Sequence, residues 1–216
     1  LLNNKFQTFT YLSSIRVYSS NKKTNEEANI ILDKNEKDIY FKTLKLAAES
    51  LCLQSNNPQV KIVRISNIFG PPSNNSSNCW NLIINYICSE AIKSGKVQLK
   101  NSGNQIRDFL SINEFNLIIN FLINNKETNK KVQTLNIGSG NTFSINEICE
   151  LIKPIYYDIF KKDLKIFFKN ELITKKNEER LEFNIKKLIE MGYNFEYEIT
   201  SQLKALLNYC NNEFTK

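Results

Sequence analysis

"DIYFKTLKLAAES", residues 38–50, carries apolar side chains at Phe41, Leu44, Leu46, Ala47 and Ala48, and the pattern runs on through Leu51 and Cys52 to about Gln54. That recurrence matches one face of a 3.6-residue period and predicts an amphipathic helix, with Asp38 where an N-cap belongs. The flanking segments follow another rule. "FQTFTYLSSI" (6–15) is aromatic and β-branched and closes on two serines, and "VKIVRIS" (60–66) is a short apolar run. Both predict buried strands. Strand, helix and strand in that order imply a βαβ unit with its strands parallel.

The rest of the chain repeats this alternation. A polar stretch, "NKKTNEEANIILDKNEK" (21–37), predicts a loop, as does "NIFGPPSNNSSN" (67–78) by its Gly-Pro-Pro and its Asn and Ser content. "CWNLIINYICSEAIKSG" (79–95) predicts an amphipathic helix closed by Gly95, followed by a short strand at 96–100. "SGNQIRDFLSI" (102–112) is a turn running into a strand, "NEFNLIINFLINN" (113–125) a helix, and "VQTLNI" (132–137) a strand stopped by "GSG". Ser144 with Glu147 three residues on is a capping-box signature for a helix to residue 160. A strand at 164–168, a short helix at 184–193 and a terminal helix from Ile199 complete the series. The class is α/β, with no internal repeat and no low-complexity linker.

With 216 residues, 41% hydrophobic and 24% charged, the chain has the composition of one substantial globular domain, or a domain and a half. No apolar run approaches the roughly 18 residues of a membrane span, so the expectation is a soluble protein without membrane partners. The opening "LLNNKFQTFT" has neither Met nor the pattern of a signal peptide, and is expected to be a boundary rather than a natural start. The net charge of +7 lies in lysines scattered among acids, which describes a solvated surface rather than a nucleic-acid face. Five cysteines with no C-x-x-C pair, and no histidine at all, argue against a metal site. Reduced, buried thiols and a cytoplasmic location are expected. The lack of histidine also removes the Ser-His and Cys-His nucleophile systems, so any proton chemistry falls to Tyr, Lys, Ser or carboxylates.

Six landmarks, in order, carry a resemblance: "YLSSIRVYSS" (11–20), "YFKTLKLAAE" (40–49), "VRISNIFGP" (63–71), "NQIRDFLSINE" (104–114), "LNIGSGNTFSINEI" (135–148) and "NIKKLIEMGY" (184–193). Together they resemble the later part of the extended short-chain dehydrogenase/reductases, the NAD-dependent nucleotide-sugar epimerases and dehydratases. The resemblance implies a partial Rossmann-type parallel sheet, helices on both faces, and a small substrate lobe. It places the dinucleotide-binding part at 1–70 and 107–137, and the nucleotide-sugar lobe at 71–106 and 138–216, with the ligand cleft between them. It also implies NAD or NADP as cofactor, NAD being favoured, and pairing into a homodimer. The G-x-x-G-x-x-G turn that opens such enzymes is absent from this sequence; Gly138 and Gly140 come closest, but Phe143 stands where a third glycine would fall. The chain therefore resembles the C-terminal two-thirds of such an enzyme, without its first half, and as given is expected to bind NAD poorly or not at all.

Residue by residue, the resemblance assigns Ser14 to hydrogen-bond the reacting sugar hydroxyl and Lys45 to the nicotinamide ribose and to lowering the pKa of a tyrosine one turn earlier. That tyrosine position holds Phe41. Tyr40 is one place too early, about 140° around a helix from Lys45, and reaches it only through a π-bulge or a helix that starts late. Ile65 and Ser66 would line the nicotinamide through their backbone. Asn67 and Arg107 would hold the substrate, Arg107 by bidentate bonds to the pyrophosphate. Each has a plainer alternative: a strand-end serine bonding local backbone, a loop-start Asn capping a turn, Arg107 paired with Asp108. Ile15 and Arg16 stand where the 4,6-dehydratases carry an Asp-Glu pair, which points to an epimerase or reductase. "ITKKNEERLEF" (173–183) replaces the family's Arg-Pro-Gly-Asp stretch, and Asn184 stands where Asp is usual. The competing reading is a catalytically inactive relative that binds a nucleotide sugar or dinucleotide, as a sensor or scaffold.

Overall fold

The structure is a computed structural model, and it describes residues 8–18, 24–55, 59–74, 77–100, 102–125, 132–169 and 182–215. In chain order the elements are β1 (Phe9–Ser14), a 3-10 turn (Ile15–Val17), α1 (Ile39–Leu53), β2 (Val60–Ile65), β3 (Asn67–Phe69), α2 (Ile83–Ser94), β4 (Lys96–Leu99), β5 (Ile106–Ser111), α3 (Ile112–Asn124), β6 (Gln133–Ile137), β7 (Thr142–Ser144), α4 (Ile145–Phe160), β8 (Lys165–Phe168), α5 (Lys186–Glu190) and α6 (Ile199–Phe214). The chain folds as two compact units, one within 1–67, 115–141 and 181–194, the other within 68–114, 142–180 and 195–216.

The first unit is built on a three-stranded parallel sheet in the order β1-β2-β6. The βαβ reading of residues 6–66 is met: β1 pairs in parallel with β2 from Phe9 opposite Val60 to Ser14 opposite Ile65. The register continues from Ile65 to Ile137, so Ser14, Ile65 and Ile137 lie side by side at the carboxyl edge of the sheet. The central strand β2 is buried almost throughout, as a parallel strand covered on both faces is. Its two cations are buried with partners. Lys61 donates to the carbonyls of Leu122 and, at 3.0 Å, Asn125, placing an ammonium at the negative end of α3. Arg64 belongs to the network described below.

The second unit packs α2, α4 and α6 around a core that includes Ile84, Ile87, Ile148, Ile152, Leu203 and Leu206. Ser144 and Glu147 form the expected capping box of α4, each side chain bonding the other residue's backbone N–H. Two strands in the unit were not expected. β3 and β7, three residues each, flank β5 in a second sheet, and β7 runs antiparallel to β5. The parallel pairing implied by alternation therefore holds for β1-β2-β6 and for β4 with β8, but not for β5 with β7. The helix expected over 79–95 begins only at Ile83. β5, grouped with the dinucleotide-binding part in the sequence reading, lies in the second unit, and α5 lies in the first. Most of "ITKKNEERLEF" falls outside the described residues. Among the described residues no helix is long and apolar enough to cross a membrane.

All five cysteines are free thiols, and all but Cys79 are buried. Burial pushes the Cys149 and Cys210 thiols up to about 12 and lifts Cys88 well above the usual thiol range. Only thiolates react readily. Ellman's reagent at pH 8 is therefore expected to modify Cys79 alone in the native protein and all five after denaturation, with the labelled peptide read by mass spectrometry. Rapid labelling of Cys88 in the native state would contradict this core.

Candidate active site at the carboxyl edge of the parallel sheet

Ligands of open parallel sheets bind beyond the carboxyl ends of the strands, and in the first unit that edge gathers most of the residues singled out by sequence. Ser14 ends β1 in extended conformation and caps the 3-10 turn, its Oγ accepting the Arg16 N–H at 3.2 Å. The local-backbone role of this serine is thus real, yet it uses only the acceptor side of the hydroxyl. Among the described residues the Ser14 O–H donates to no partner.

The helix α1 decides the tyrosine question. It is regular α-helix from Ile39 onward, with neither a π-bulge nor a late start. Tyr40 therefore sits in its first turn, 84% exposed, and is not brought to Lys45. Phe41 is. Its ring centroid lies 5.7 Å from Lys45 Nζ, as the i, i+4 relation demands. Neither of the two routes by which Tyr40 was expected to reach Lys45, a π-bulge or a late helix start, is present in this helix. Asp38 stands at the N-cap position as expected but makes no side-chain cap bond; its carboxylate instead approaches the Arg16 guanidinium at 3.5 Å.

Lys45 Nζ donates to the Leu12 carbonyl at 2.8 Å and lies 5.3 Å from the Tyr11 ring. No carboxylate pairs with it among the described residues. Tyr11 does not substitute for the missing phenol. Its own hydroxyl is held above the usual range by burial, then by the charge of Glu49 and by Cys52, so it stays protonated at neutral pH.

Ser66 lies just past β2, its backbone N–H bonded to the Ile137 carbonyl at 2.9 Å. Its Oγ is buried and has no hydrogen-bond partner among the described residues, and an orphan hydroxyl of that kind calls for a ligand or a water. Ile65 and Asn67 flank it, both half-buried. In the second unit, Arg107 on β5 donates from Nη2 to Gln105 Oε1 at 2.9 Å, while neighbouring Asp108 is fully buried.

Behind the edge stands a buried polar network that sequence reading missed. Glu49, one turn beyond Lys45, accepts Arg64 through two bonds, Nε at 3.1 Å and Nη2 at 2.7 Å, and a third from the Ser13 hydroxyl at 2.5 Å. Arg64 Nη1 donates to the Tyr18 hydroxyl at 2.9 Å, and Tyr18 donates onward to Asn136 Oδ1 at 2.7 Å. Asn136 in turn donates from Nδ2 to the Asn184 carbonyl at 2.8 Å and from its backbone N–H to the Glu26 carboxylate, also at 2.8 Å. Burial works against the Arg64 charge, but the Glu49 carboxylate and the Tyr18 hydroxyl more than compensate and hold its pKa above the usual guanidinium value. The network fixes the end of β1, the Lys45 helix and β6 relative to one another. The sequence signal was an arginine inside a strand run rich in Val and Ile.

The profile of the NAD dependent epimerase/dehydratase family matches residues 1–138, and the chain belongs to that family. A curated relative from Methanocaldococcus jannaschii, named "Putative UDP-glucose 4-epimerase", is 26% identical over 155 residues, covering 70% of this chain and 45% of that protein. The chain thus spans about half the length of this relative. Among solved structures, the UDP-glucuronic acid 4-epimerase of Bacillus cereus, in complex with UDP-glucuronic acid and NAD, superposes with a TM-score of 0.75 at 19% identity, over 98% of this chain and 63% of that one. RMD from Pseudomonas aeruginosa, complexed with NADPH, gives 0.69 at 22% identity over 95% and 67%. A Tyr-to-Phe mutant of the Bacillus cereus epimerase, in complex with a 4-deoxy-4-fluoro analogue of UDP-glucuronic acid and NAD, gives 0.71 at 19% identity over 95% and 62%. At these identities the superpositions establish the shared fold.

Proposed function

We propose that this protein holds a uridine diphosphate sugar beside a nicotinamide dinucleotide, in the arrangement that serves epimerisation or reduction at a sugar carbon, and that Phe41 deprives it of the acid/base that makes this chemistry fast. The observation that carries the reading is the Phe41–Lys45 pair on a regular helix turn, with Tyr40 facing away. The uridine diphosphate class is taken over from the ligands and name of the relatives. That a Tyr-to-Phe mutant of the Bacillus cereus epimerase is complexed with both a nucleotide sugar and NAD supports binding without the phenol.

The residues present fit the nicotinamide end of such a cofactor. Lys45 offers an ammonium without a carboxylate partner, and Ser66 an orphan hydroxyl between two strand ends. When bound, the dinucleotide supplies the acceptor and donor of hydride. The chain's own part is to orient the sugar: Ser14 donates its free O–H to the reacting hydroxyl, and Lys45 places positive charge beside it. Asn67, and Arg107 through the pyrophosphate, hold the nucleotide sugar. A Phe ring fills the space of the missing phenol and cannot take the sugar's proton, which removes the roughly 100- to 10,000-fold contribution of a positioned base. What is left is a binding protein with slow chemistry.

Calorimetric titration of the protein with UDP and UDP-glucose tests the reading. Micromolar binding of the sugar nucleotide is expected, with little turnover under the same conditions. Failure of both ligands to bind at millimolar concentration would overturn it.

A further inference from the structure

The parallel sheet of the first unit has two outer edges, and they are finished differently. Phe9 donates its backbone N–H to the Gln59 carbonyl at 3.0 Å. In the parallel register that follows, Phe9, Tyr11 and Ser13 turn their backbone groups towards β2, and Thr10 and Leu12 turn theirs outwards. At the far edge the Ile137 carbonyl accepts from Ser66, so the backbone of Asn136 faces away from β2. There its N–H is taken by the Glu26 carboxylate. The outer edge of β1 has no such cover: among the described residues the N–H groups of Thr10 and Leu12 have no acceptor. Phe9–Ser14 contains no charge, Pro or Gly, the devices that keep an exposed strand from pairing, and the Leu12 side chain is 45% exposed. One group does close this edge. Lys45 Nζ donates to the outward carbonyl of Leu12 at 2.8 Å. The ammonium lies near two rings, those of Tyr11 and Phe41, and the Phe41 centroid is also 5.5 Å from the Arg16 guanidinium carbon.

We propose that the outer edge of β1 receives a strand from the part of the family domain that has no counterpart in this sequence, and that Lys45 guards the edge until that strand arrives. The solved relatives compared above are longer than this chain, which accounts for 63% and 67% of two of them. Of the two edges only that of β1 is open to extension, because Glu26 occupies the outward N–H of β6. An arriving strand brings an amide N–H to the Leu12 carbonyl and takes the space where the ammonium now lies. It makes several backbone bonds where Lys45 makes one, so the exchange runs towards pairing. Lys45, released, turns to the ligand. Completing the sheet and charging the ligand site are thereby one event, and each favours the other. The release of Lys45 rests on the function proposed above; the docking edge does not.

Amide hydrogen exchange provides the test, on the protein alone and on the protein co-expressed with the segment of the Methanocaldococcus jannaschii relative that precedes its match to this chain. Alone, Thr10 and Leu12 are expected to exchange at least about 100-fold faster than Tyr11 and Ser13. In a stoichiometric complex they are expected to become as slow as these neighbours. Thr10→Pro removes only an outward N–H, which an edge strand tolerates. It is expected to keep the circular dichroism of the wild type and to abolish the complex. Lys45→Met is expected to leave the UDP-glucose affinity of the lone chain unchanged and to weaken that of the complex by about 10- to 100-fold, the worth of a hydrogen bond to a charged group. Slow exchange of Thr10 and Leu12 in a dimer of the lone protein would overturn the proposal and seat a second copy on this edge. Absence of the complex, or a complex that survives Thr10→Pro, would overturn the docking. Equal affinity of the complex with and without Lys45 would overturn its release. Absence of UDP binding throughout would overturn the proposed function and leave the docking edge in place.

Discussion

Phe41→Tyr is expected to raise the turnover of a bound nucleotide sugar by roughly 100- to 10,000-fold, the span of a positioned general acid/base. The substitution adds one oxygen at the para position of a ring that already shares a helix face with Lys45. Phe41 is 38% exposed, so the ring is not part of the packed core. Two cations beside the ring would favour the phenolate and lower the pKa of the new tyrosine. Affinity for the nucleotide sugar should barely change, because the ring itself is retained. Tyr40→Phe serves as the control and is expected to alter neither quantity, since the Tyr40 side chain stands in solvent on another face of α1. A rate that rises with Phe41→Tyr and falls again when Lys45→Met is added would show the pair acting together.

Glu49→Ala is expected to destabilise the first unit by about 3–5 kcal/mol, because breaking a buried ion pair from one side strands the other charge. Arg64 would keep its guanidinium in a site where its side chain is 7% exposed, and Ser13 would lose its acceptor. For a chain of this size the loss corresponds to a melting-temperature drop on the order of 10 °C. Replacing both partners by apolar residues, Glu49→Leu with Arg64→Met, should cost less than Glu49→Ala alone, because no charge is left uncompensated. Chemical denaturation of the three proteins checks this. Should the double variant prove the weaker of the two, the network is stabilising as a whole and not merely intolerant of being halved.

Much of this architecture is written in periodicity. α1 and β2 are recognisable because one repeats every three to four residues and the other is a short run rich in Val and Ile. The displaced tyrosine is equally readable, since helical spacing alone separates Tyr40 from Lys45, and the structure only had to exclude a bulge. β3 and β7 could not be read in this way: three residues are too few for any period to show. The Glu49–Arg64–Tyr18–Asn136 network was hidden for another reason. Its members are 15 to 118 positions apart along the chain in their pairwise bonds, and a charge in sequence looks solvated until a partner from elsewhere buries it. Lys61 and Lys42 illustrate the same point, both nearly fully buried on carbonyl oxygens. Arg16 was visible only as a departure from an acidic pair, and its ring contact needed the turn geometry after Ser14.

The most direct measurement is the conversion of a saturating UDP-sugar to its epimer by the wild-type protein supplied with NAD, followed over time by chromatography and compared with Phe41→Tyr under the same conditions. The account predicts a wild-type progress curve whose initial slope lies at least about 100-fold below that of the variant at the same NAD and UDP-sugar concentrations. An equal slope in the wild type would mean that another group takes the sugar's proton, and would contradict the claim that Phe41 has left a binding site without its acid/base.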